Sequence, residues 1–159
     1  MKYVLLWGDP STGKSALRKS MQEFLNSNER YSRTEFEFIV CNDMYCGTEI
    51  VKLLQKKILN ILVVCFSLSD NKSLTSLEQH WPRMKRLLRY YHSNIPCILV
   101  GCKMDHCSLE GSNYISRPFA KKRFWYNYIE CSSSYNVNID KVVRNVVKAG
   151  DSSSMCTIM

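Results

Sequence analysis

The sequence contains no long hydrophobic run, which argues against a protein built into a membrane. None of its apolar stretches approaches the roughly 18 residues that a membrane-spanning helix requires. Near the start, a lysine is followed by an apolar run of about five residues, shorter than the roughly 7 that form the core of a secretory signal. We therefore expect neither a spanning helix nor a secretory leader.

The sequence also lacks the cysteine pairs of a zinc site. None of its eight cysteines belongs to a CxxC pair, and Cys41, Cys65 and Cys97 lie within apolar runs. This distribution favours the reduced thiols of a cytosolic protein over a disulfide framework.

A third absence concerns nucleic-acid binding. The formal net charge is +8, yet the lysines and arginines are spread along the chain without the interleaved aromatic residues of an RNA-binding segment. We interpret this charge as a solvated basic surface and expect no nucleic-acid partner.

The length of 159 residues and the hydrophobic fraction of 45% fit one globular domain. We place that domain at residues 1–149, followed by a flexible polar tail at 150–159.

What the sequence does contain is an alternation of apolar runs and amphipathic segments. Most of the apolar runs are almost continuously hydrophobic, as strands buried on both faces of a parallel sheet are. Strands are predicted at residues 3–7, 36–41, 61–68, 96–102 and 125–131, and helices at 14–26, 73–92, 112–123 and 137–149. The pattern predicts an α/β fold with a doubly wound, mostly parallel sheet of about five strands and flanking helices.

A phosphate-binding loop is predicted directly after the first strand. The segment GDPSTGKS fits the pattern GxxxxGK[ST], in which loop N–H groups surround phosphates, the lysine reaches the β and γ oxygens and the hydroxyl faces magnesium. A strand before the loop and a helix after it are the context that this P-loop chemistry needs. The predicted phosphate site comprises Gly8, Asp9, Pro10, Ser11, Thr12, Gly13, Lys14, Ser15 and Ala16.

Two later segments predict recognition of a base. In LVGCKMD, Lys103 and Asp105 follow a buried strand at its carboxyl end, where sheets of this kind bind ligands. The Asp105 carboxylate can accept hydrogen bonds from N1–H and the exocyclic amine of guanine, which adenine does not offer, and the Lys103 stem can lie along the ring. The segment ECSSS follows the next strand, where a backbone N–H near Ser132 or Ser133 would supply a further contact. Taken alone, this segment could equally be a serine-rich turn.

Taken in order, these motifs resemble the Ras superfamily of small GTPases over almost the whole chain. The matching segments are GDPSTGKS, the acidic and glycine-containing NDMYCGTE with Gly47, GCKMD with Cys102, and ECSSS. FSLSDNKSLTSLEQHWP is similar to the Rho family, while VGCKMD and the final CTIM are similar to its atypical Rnd branch. The resemblance implies a monomer that binds GTP or GDP with Mg²⁺ and meets effector or regulatory proteins.

Departures from the family pattern imply slow or impaired GTP hydrolysis. The family has an aspartate three residues before the glycine of its second loop and a glutamine after it, which orients the attacking water. Here Met44 precedes Gly47 at that distance, Asp43 lies one residue further back, and Thr48 occupies the water-orienting position. Asp43 is either part of the magnesium shell or an ordinary turn residue. Pro10 replaces a glycine that an incoming arginine finger passes.

The chain is also shorter than the family pattern. The interval from Ser15 to Asp43 is too short for the usual helix, first switch, edge strand and next strand, so we expect the edge strand to be missing and the first switch to be a short loop. Thr34 is the threonine there that could bind the metal with Ser15 and Asp43, or it is a polar residue leading into a strand. The interval from Asp105 to Ser132 lacks room for the extra helix of Rho proteins, which leaves a Ras-like descent open.

The terminal CTIM fits a C-a-a-X prenylation box and predicts a farnesyl group on Cys156. One lipid chain anchors a protein only marginally, so we expect the chain both in the cytosol and at the cytoplasmic face of membranes such as the plasma membrane.

Three functions compete at this point. The first is a membrane-associated, guanine-nucleotide-binding signalling protein with weak or absent hydrolysis. The second is a pseudo-GTPase, an interaction module that no longer binds nucleotide. The third, a nucleotide kinase, lacks an arginine-rich lid segment and leaves CKMD and CTIM without a role.

Overall fold

The computed structural model of the protein describes residues 1–45, 47–106, 118–121 and 124–156, with the backbone alone at 153–156. Its sheet has the strand order β2-β1-β3-β4-β5, and every neighbouring pair is parallel. The strands are β1 (Lys2–Trp7), β2 (Phe36–Cys41), β3 (Leu59–Ser67), β4 (Cys97–Cys102) and β5 (Trp125–Glu130). The described helices are α1 (Lys14–Ser27), α2 (Thr48–Gln55), α3 (Asn71–Tyr90) and α4 (Ile139–Cys156).

The core lies on both faces of this sheet. Successive strand residues point to opposite faces, so a strand covered by helices on both sides is apolar at every position. On one face, Leu5 and Val64 pack with α2 and α3, whereas on the other face Val4 and Val63 pack with α1 and α4. The predicted doubly wound α/β fold is therefore confirmed. In the described ranges, no helix combines the length and the apolar character that a membrane span needs.

The predicted strands agree closely with the structure, but the helices required two corrections. Each strand begins and ends within two residues of its prediction, and α1 and α3 agree equally well. Helix α2 was not predicted, although its buried residues Ile50, Leu53 and Leu54 have helical spacing. The predicted helix at 112–123 lies mostly outside the described residues. The part of it that is described includes 118–120, and these three residues are helical.

The last helix extends beyond its predicted end. We expected it to stop at residue 149 and a flexible tail to follow, but α4 continues through Gly150 to Cys156. The ammonium of Lys2 donates a hydrogen bond to the Asp151 carboxylate at 2.9 Å and so ties the added turn to β1. The tail prediction is therefore wrong for residues 150–156, while 157–159 lie outside the described residues.

The connection from α1 to β2 is short and stays at one end of the sheet. Residues 28–35 form a single 3-10 turn at Glu29–Tyr31, which Asn28 caps, and no strand. The Lys2 N–H then bonds the Glu35 carbonyl at 2.9 Å, and β2 begins beside β1. The expected loss of the edge strand is confirmed.

Candidate functional site

Two glycines shape the loop that follows β1. A Cβ atom at Gly8 would clash with the backbone carbonyl oxygen of Cys65 on β3, so only glycine allows this approach. Gly13 has φ of 108°, a left-handed conformation that glycine adopts without strain, and it forms the N-cap of α1. The predicted turn between strand and helix is thus present at the carboxyl end of β1.

Lys14 lies inside this loop rather than in solvent. Its residue surface is 3% exposed, and its ammonium donates hydrogen bonds to the Asp9 carbonyl oxygen and, at 3.2 Å, to Thr12 Oγ1. Burial lowers the pKa of Lys14, and the nearby Asp9 carboxylate opposes that shift. The loop therefore holds a desolvated cation whose partners are neutral oxygens, an environment that an anionic oxygen would improve.

The start of α1 faces outward beside this cation. The first backbone N–H groups of a helix have no partner within the helix, and here no side chain caps them. Ser15 and Ala16 are exposed at this position. The helix N-terminus, the loop and the Lys14 ammonium together form a positively polarised surface suited to a phosphate chain.

Asp105 lies across the same edge of the sheet, just after β4. Its Oδ1 accepts a hydrogen bond from Ser132 Oγ at 2.7 Å, and its Oδ2 lies 3.1 Å from His106 Nε2. The Ser132 hydrogen bond lowers the pKa of Asp105, and the positive charges of His106 and Lys103 contribute in the same direction. The side chain, 9% exposed, is thus held as an ionised acceptor.

Lys103 links the two loops. Its ammonium donates a hydrogen bond to the Ser11 carbonyl at 2.6 Å, and its Cε and Cγ atoms would lie 3.7 and 3.8 Å from a Cβ atom at Gly13. Both Lys103 and Ser11 have positive φ values, of 59° and 64°. The lysine stem therefore lies along the phosphate loop, with its base-side partner Asp105 two residues away.

The remaining base-side residues have supporting positions. Ser132 is 1% exposed, and its backbone pairs with Val137 in an isolated bridge, so its hydroxyl is held against Asp105. Ser133 follows and is half-buried. Cys102 is buried beneath Gly13. A Cβ atom added at Gly13 would lie 3.3 Å from the Cβ atom of Cys102. Cys102 therefore supports the loop from below.

The thiols under the site are protonated and inert. The hydrogen bond to Cys102, together with burial, raises the pKa of Cys131. For Cys102 itself, the hydrogen bond from Cys131 lowers the pKa, but contact with Cys65 and burial raise it overall. Buried thiols with raised pKa values are poor nucleophiles, so this cluster has a packing role.

The second loop brings the exposed Asp43 to this edge, where its carboxylate folds back onto its own turn. The Asp43 carbonyl accepts a hydrogen bond from Trp7 Nε1 at 3.0 Å, and its Oδ1 accepts one from the Tyr45 N–H at 2.9 Å. A Cβ atom at Gly47 would clash with the other carboxylate oxygen, so Gly47 accommodates the turn. Asp43 acts as a turn residue in this conformation.

The other departures from the family pattern have clear positions. Met44 is 6% exposed and packs in the core, so it offers no ligand. Thr48 is the exposed first residue of α2, and Pro10 is exposed at the tip of the phosphate loop.

Thr34 does not reach the site. It lies two residues before β2, and the pairing of Phe36 with Lys2 places it at the amino end of the sheet. The phosphate loop lies at the opposite end, about 20 Å away, which is the length of β1 at about 3.3 Å per residue. The predicted metal role of Thr34 is corrected: the short connection after α1 never returns to the carboxyl edge.

The described residues contain no cluster of three or more His, Cys, Asp or Glu side chains that could hold a metal by themselves. Mg²⁺ is commonly bound through one or two protein groups together with substrate phosphates. The exposed Ser15 hydroxyl and the Asp43 carboxylate fit that limited role.

Sequence reasoning missed two contacts at this edge. Ser76 of α3 donates a hydrogen bond to Asp9 Oδ1 at 2.9 Å, and His106 lies against Asp105. The first contact joins residues 67 positions apart and has no local signal in the sequence. The second joins neighbours in the chain, so the position of His106 next to Asp105 in CKMDH was a usable signal.

A parallel sheet with a buried loop lysine and a polar second loop at the same edge defines a P-loop α/β domain. A solved structure supports that class: the apo form of translation elongation factor SelB from Methanococcus maripaludis has a TM-score of 0.66 at 14% identity, covering 94% of this chain and 33% of that one. At this identity the likeness shows the fold alone.

A sequence model of the Ras family matches residues 47–151, more than half of the chain, so the chain belongs to the Ras family. Its similarities are Rho-like. GTP-binding protein rho5 of Schizosaccharomyces pombe is 28% identical over 103 residues, covering 57% of this chain and 50% of its own length. Ras-like GTP-binding protein RhoL of Drosophila melanogaster is 25% identical over 95 residues, covering 57% of this chain and 48% of its own length.

GTP-binding protein RHO4 of Eremothecium gossypii is 24% identical over 166 residues, covering 91% of this chain and 62% of the relative. The chain spans about half the length of the first two relatives. The predicted Rho resemblance is confirmed, and the finer likeness to the Rnd branch stays a prediction.

Replacing Ser132 with alanine should raise the pKa of Asp105 toward its usual value of 3.8, because the main interaction that favours the carboxylate is removed. A carboxyl group with a lowered folded-state pKa contributes stability that is present above the unfolded-state pKa and lost as the pH falls through the folded-state value. Ser132→Ala should therefore reduce the loss of stability in acid. Carbon-13 NMR titration of the Asp105 carboxyl measures the pKa, and Ser133→Ala is the matched control. Equal pKa values in both variants would contradict the assignment.

Proposed function

We propose that this chain is a guanine-nucleotide-binding, small GTPase-like signalling protein. The observation that carries the proposal is the bridge from Lys103 to the Ser11 carbonyl, which holds the base-side loop against the phosphate loop. A nucleoside diphosphate or triphosphate needs both loops at once, because its base and its phosphates lie at opposite ends of one ligand. The names of the Rho-like relatives, which describe GTP-binding proteins, support the same function.

Binding would exchange the internal partners of two charged groups. The Lys14 ammonium would give up the Asp9 carbonyl for phosphate oxygens, which are stronger acceptors because they are charged. The Asp105 carboxylate would turn its Oδ2 from His106 to the N1–H and amine donors of guanine. Ser15 and Asp43 would hold Mg²⁺, which supplies charge neutralisation at the phosphates when bound.

Asp105→Asn should weaken GDP and GTP binding by about 1–3 kcal/mol, because an amide donor would then face the guanine amine. Isothermal calorimetry measures the affinity, and His106→Asn tests whether the neighbouring side chain matters by itself. Unchanged GDP affinity in Asp105→Asn would overturn the assignment of guanine.

We propose that hydrolysis is slow. Rapid turnover in this chemistry requires an oriented water and an arginine finger worth about 10³–10⁵ in rate. Thr48 carries a short exposed hydroxyl where the family has glutamine, Pro10 stands at the loop tip, and the segment after α1 lies at the far end of the sheet. These three features support weak catalysis with little stimulation by an activating partner.

Single-turnover assays on GTP-loaded protein should give a rate at or below the slow intrinsic rate of about 10⁻⁴ s⁻¹ known for such enzymes. Thr48→Gln should leave that rate slow, because glutamine alone does not restore the missing first-switch contacts, and Thr48→Ala is the matched control. A wild-type rate on the order of 1 s⁻¹ would refute this part of the proposal.

We further propose membrane association through a farnesyl group on Cys156, with protein partners that act as effectors or regulators of a monomer. A single prenyl chain binds membranes reversibly. The box CTIM is the observation that motivates the lipid, and the basic surface of the chain would add weak attraction to anionic membranes.

Cys156→Ser should abolish membrane association, whereas the unaltered protein should divide between membrane and cytosol. Fractionation of cells that express either form measures the distribution, and Ser154→Ala serves as a neighbouring control. Identical distributions for Cys156→Ser and the unaltered chain would exclude the lipid.

A pseudo-GTPase is the second candidate. It is favoured by the internal pairing of Lys14 and Asp105, which satisfies both groups without nucleotide. The two candidates differ in the nucleotide that is released when protein purified with magnesium is denatured. Guanine nucleotide in near-stoichiometric amount supports the first, and its absence together with no measurable GDP binding supports the second.

A further inference from the structure

Helix α3 has a second structured face in addition to the one it buries. Its inner face packs Leu77, Trp81, Met84 and Leu88 into the core. The outer face carries Arg83, Arg86, Leu87 and Tyr90 at i, i+3, i+4 and i+7, a spacing that places all four side chains together. Of these, Leu87 is half-buried and the others are exposed.

Tyr45 of the second loop completes this face from the side. The Arg83 guanidinium lies 5.9 Å from the centroid of the Tyr45 ring, and the ring also meets His80 edge-on at 5.2 Å. Tyr45 and Tyr90 are nevertheless 69% and 75% exposed. Together, these residues line a cleft of about 430 Å³, formed by Tyr45, Arg83, Arg86, Leu87 and Tyr90.

Two of the five residues that line the cleft are basic: Arg83 and Arg86. Lys85 and Arg89 are exposed on the same helix but do not line the cleft, and the Lys85 ammonium lies over the Phe124 ring. None of these four cations belongs to an ion pair among the residues that the structure describes. Unpaired arginines beside exposed tyrosines have the composition of interaction hot spots, in which a desolvated partner supplies the missing charge.

We propose that this cleft, named here the α3 cleft, is a docking surface for an acidic segment of a partner protein. Two carboxylates of that segment pair with Arg83 and Arg86, and an apolar side chain between them covers Leu87. The two tyrosine rings form the walls. A protein segment fits better than an anionic membrane, because arginines beside exposed tyrosines and a half-buried leucine have the composition of protein interfaces.

The proposal rests on the proposed function only in that a signalling protein has protein partners. The cleft contains neither the phosphate loop nor Asp105, so nucleotide binding and docking are measured by separate experiments. Release of guanine nucleotide on denaturation reports the first, and peptide binding reports the second.

The test is selection from a phage library of random 12-residue peptides on immobilised full-length protein, with subtraction against Arg83→Ala/Arg86→Ala. We expect enriched peptides to carry at least two acidic residues and one aliphatic or aromatic residue. A fluorescent synthetic copy of an enriched peptide should bind the wild type. Its affinity should fall by about tenfold or more in the double variant and should also fall with added salt.

Arg18→Ala/Lys19→Ala is the matched control, since it removes two exposed cations from α1 and should leave peptide binding unchanged. Thermal unfolding verifies that both variants are folded. The proposal would be overturned if the enriched peptides lacked acidic residues, or if no peptide depended on Arg83 and Arg86 for binding. It would also be overturned if the control variant lost as much peptide affinity as the double variant. A second arm of the experiment measures binding to vesicles that contain phosphatidylserine. If vesicle binding depended on Arg86 and the selection yielded no binding peptide, the α3 cleft would be assigned to membranes instead.

Discussion

The hydrogen bond from Lys103 to the Ser11 carbonyl is the contact on which the site depends. The loops that it joins follow β1 and β4, which are separated in the sheet by β3. That bond acts together with the packing of Cys102 beneath Gly13, which also holds the phosphate loop against the base-side loop. Asp105 and Lys14 are thereby held in a fixed relation, and the buried serine and cysteines below them keep both loops from moving apart.

The short connection after α1 determines which loops lie at the edge of the sheet that carries the phosphate loop. Because β2 begins at the amino end of the sheet and runs parallel to β1, the chain returns to that edge only after Cys41. The loop after Cys41 is therefore the next described segment after the start of α1 to lie there. Asp43 is part of that loop, and its hydrogen bond with Trp7 connects it to β1. Its other partner, Tyr45, contacts Arg83 of α3 through its ring.

Much of the fold and part of the site could be predicted from the sequence. Buried parallel strands are recognisable because neither face meets water, and the P-loop spacing placed Lys14 correctly. Helix α2 was missed because eight residues give only two turns of periodicity. The end of α4 was misjudged because Gly150 is a common helix stop, whereas here close packing against Lys2 and Ile61 retains it inside the helix. Thr34 was misplaced because order along the chain does not reveal which end of the sheet a loop occupies.

The contact between Lys2 and Asp151 brings distant parts of the chain together at the end of the sheet that faces away from the nucleotide site. The pair fastens the last described turns of α4 to the first residue of β1. Removing either charge should therefore loosen that part of α4 first, and leave the phosphate loop and the base-side loop, at the other edge of the sheet, in place.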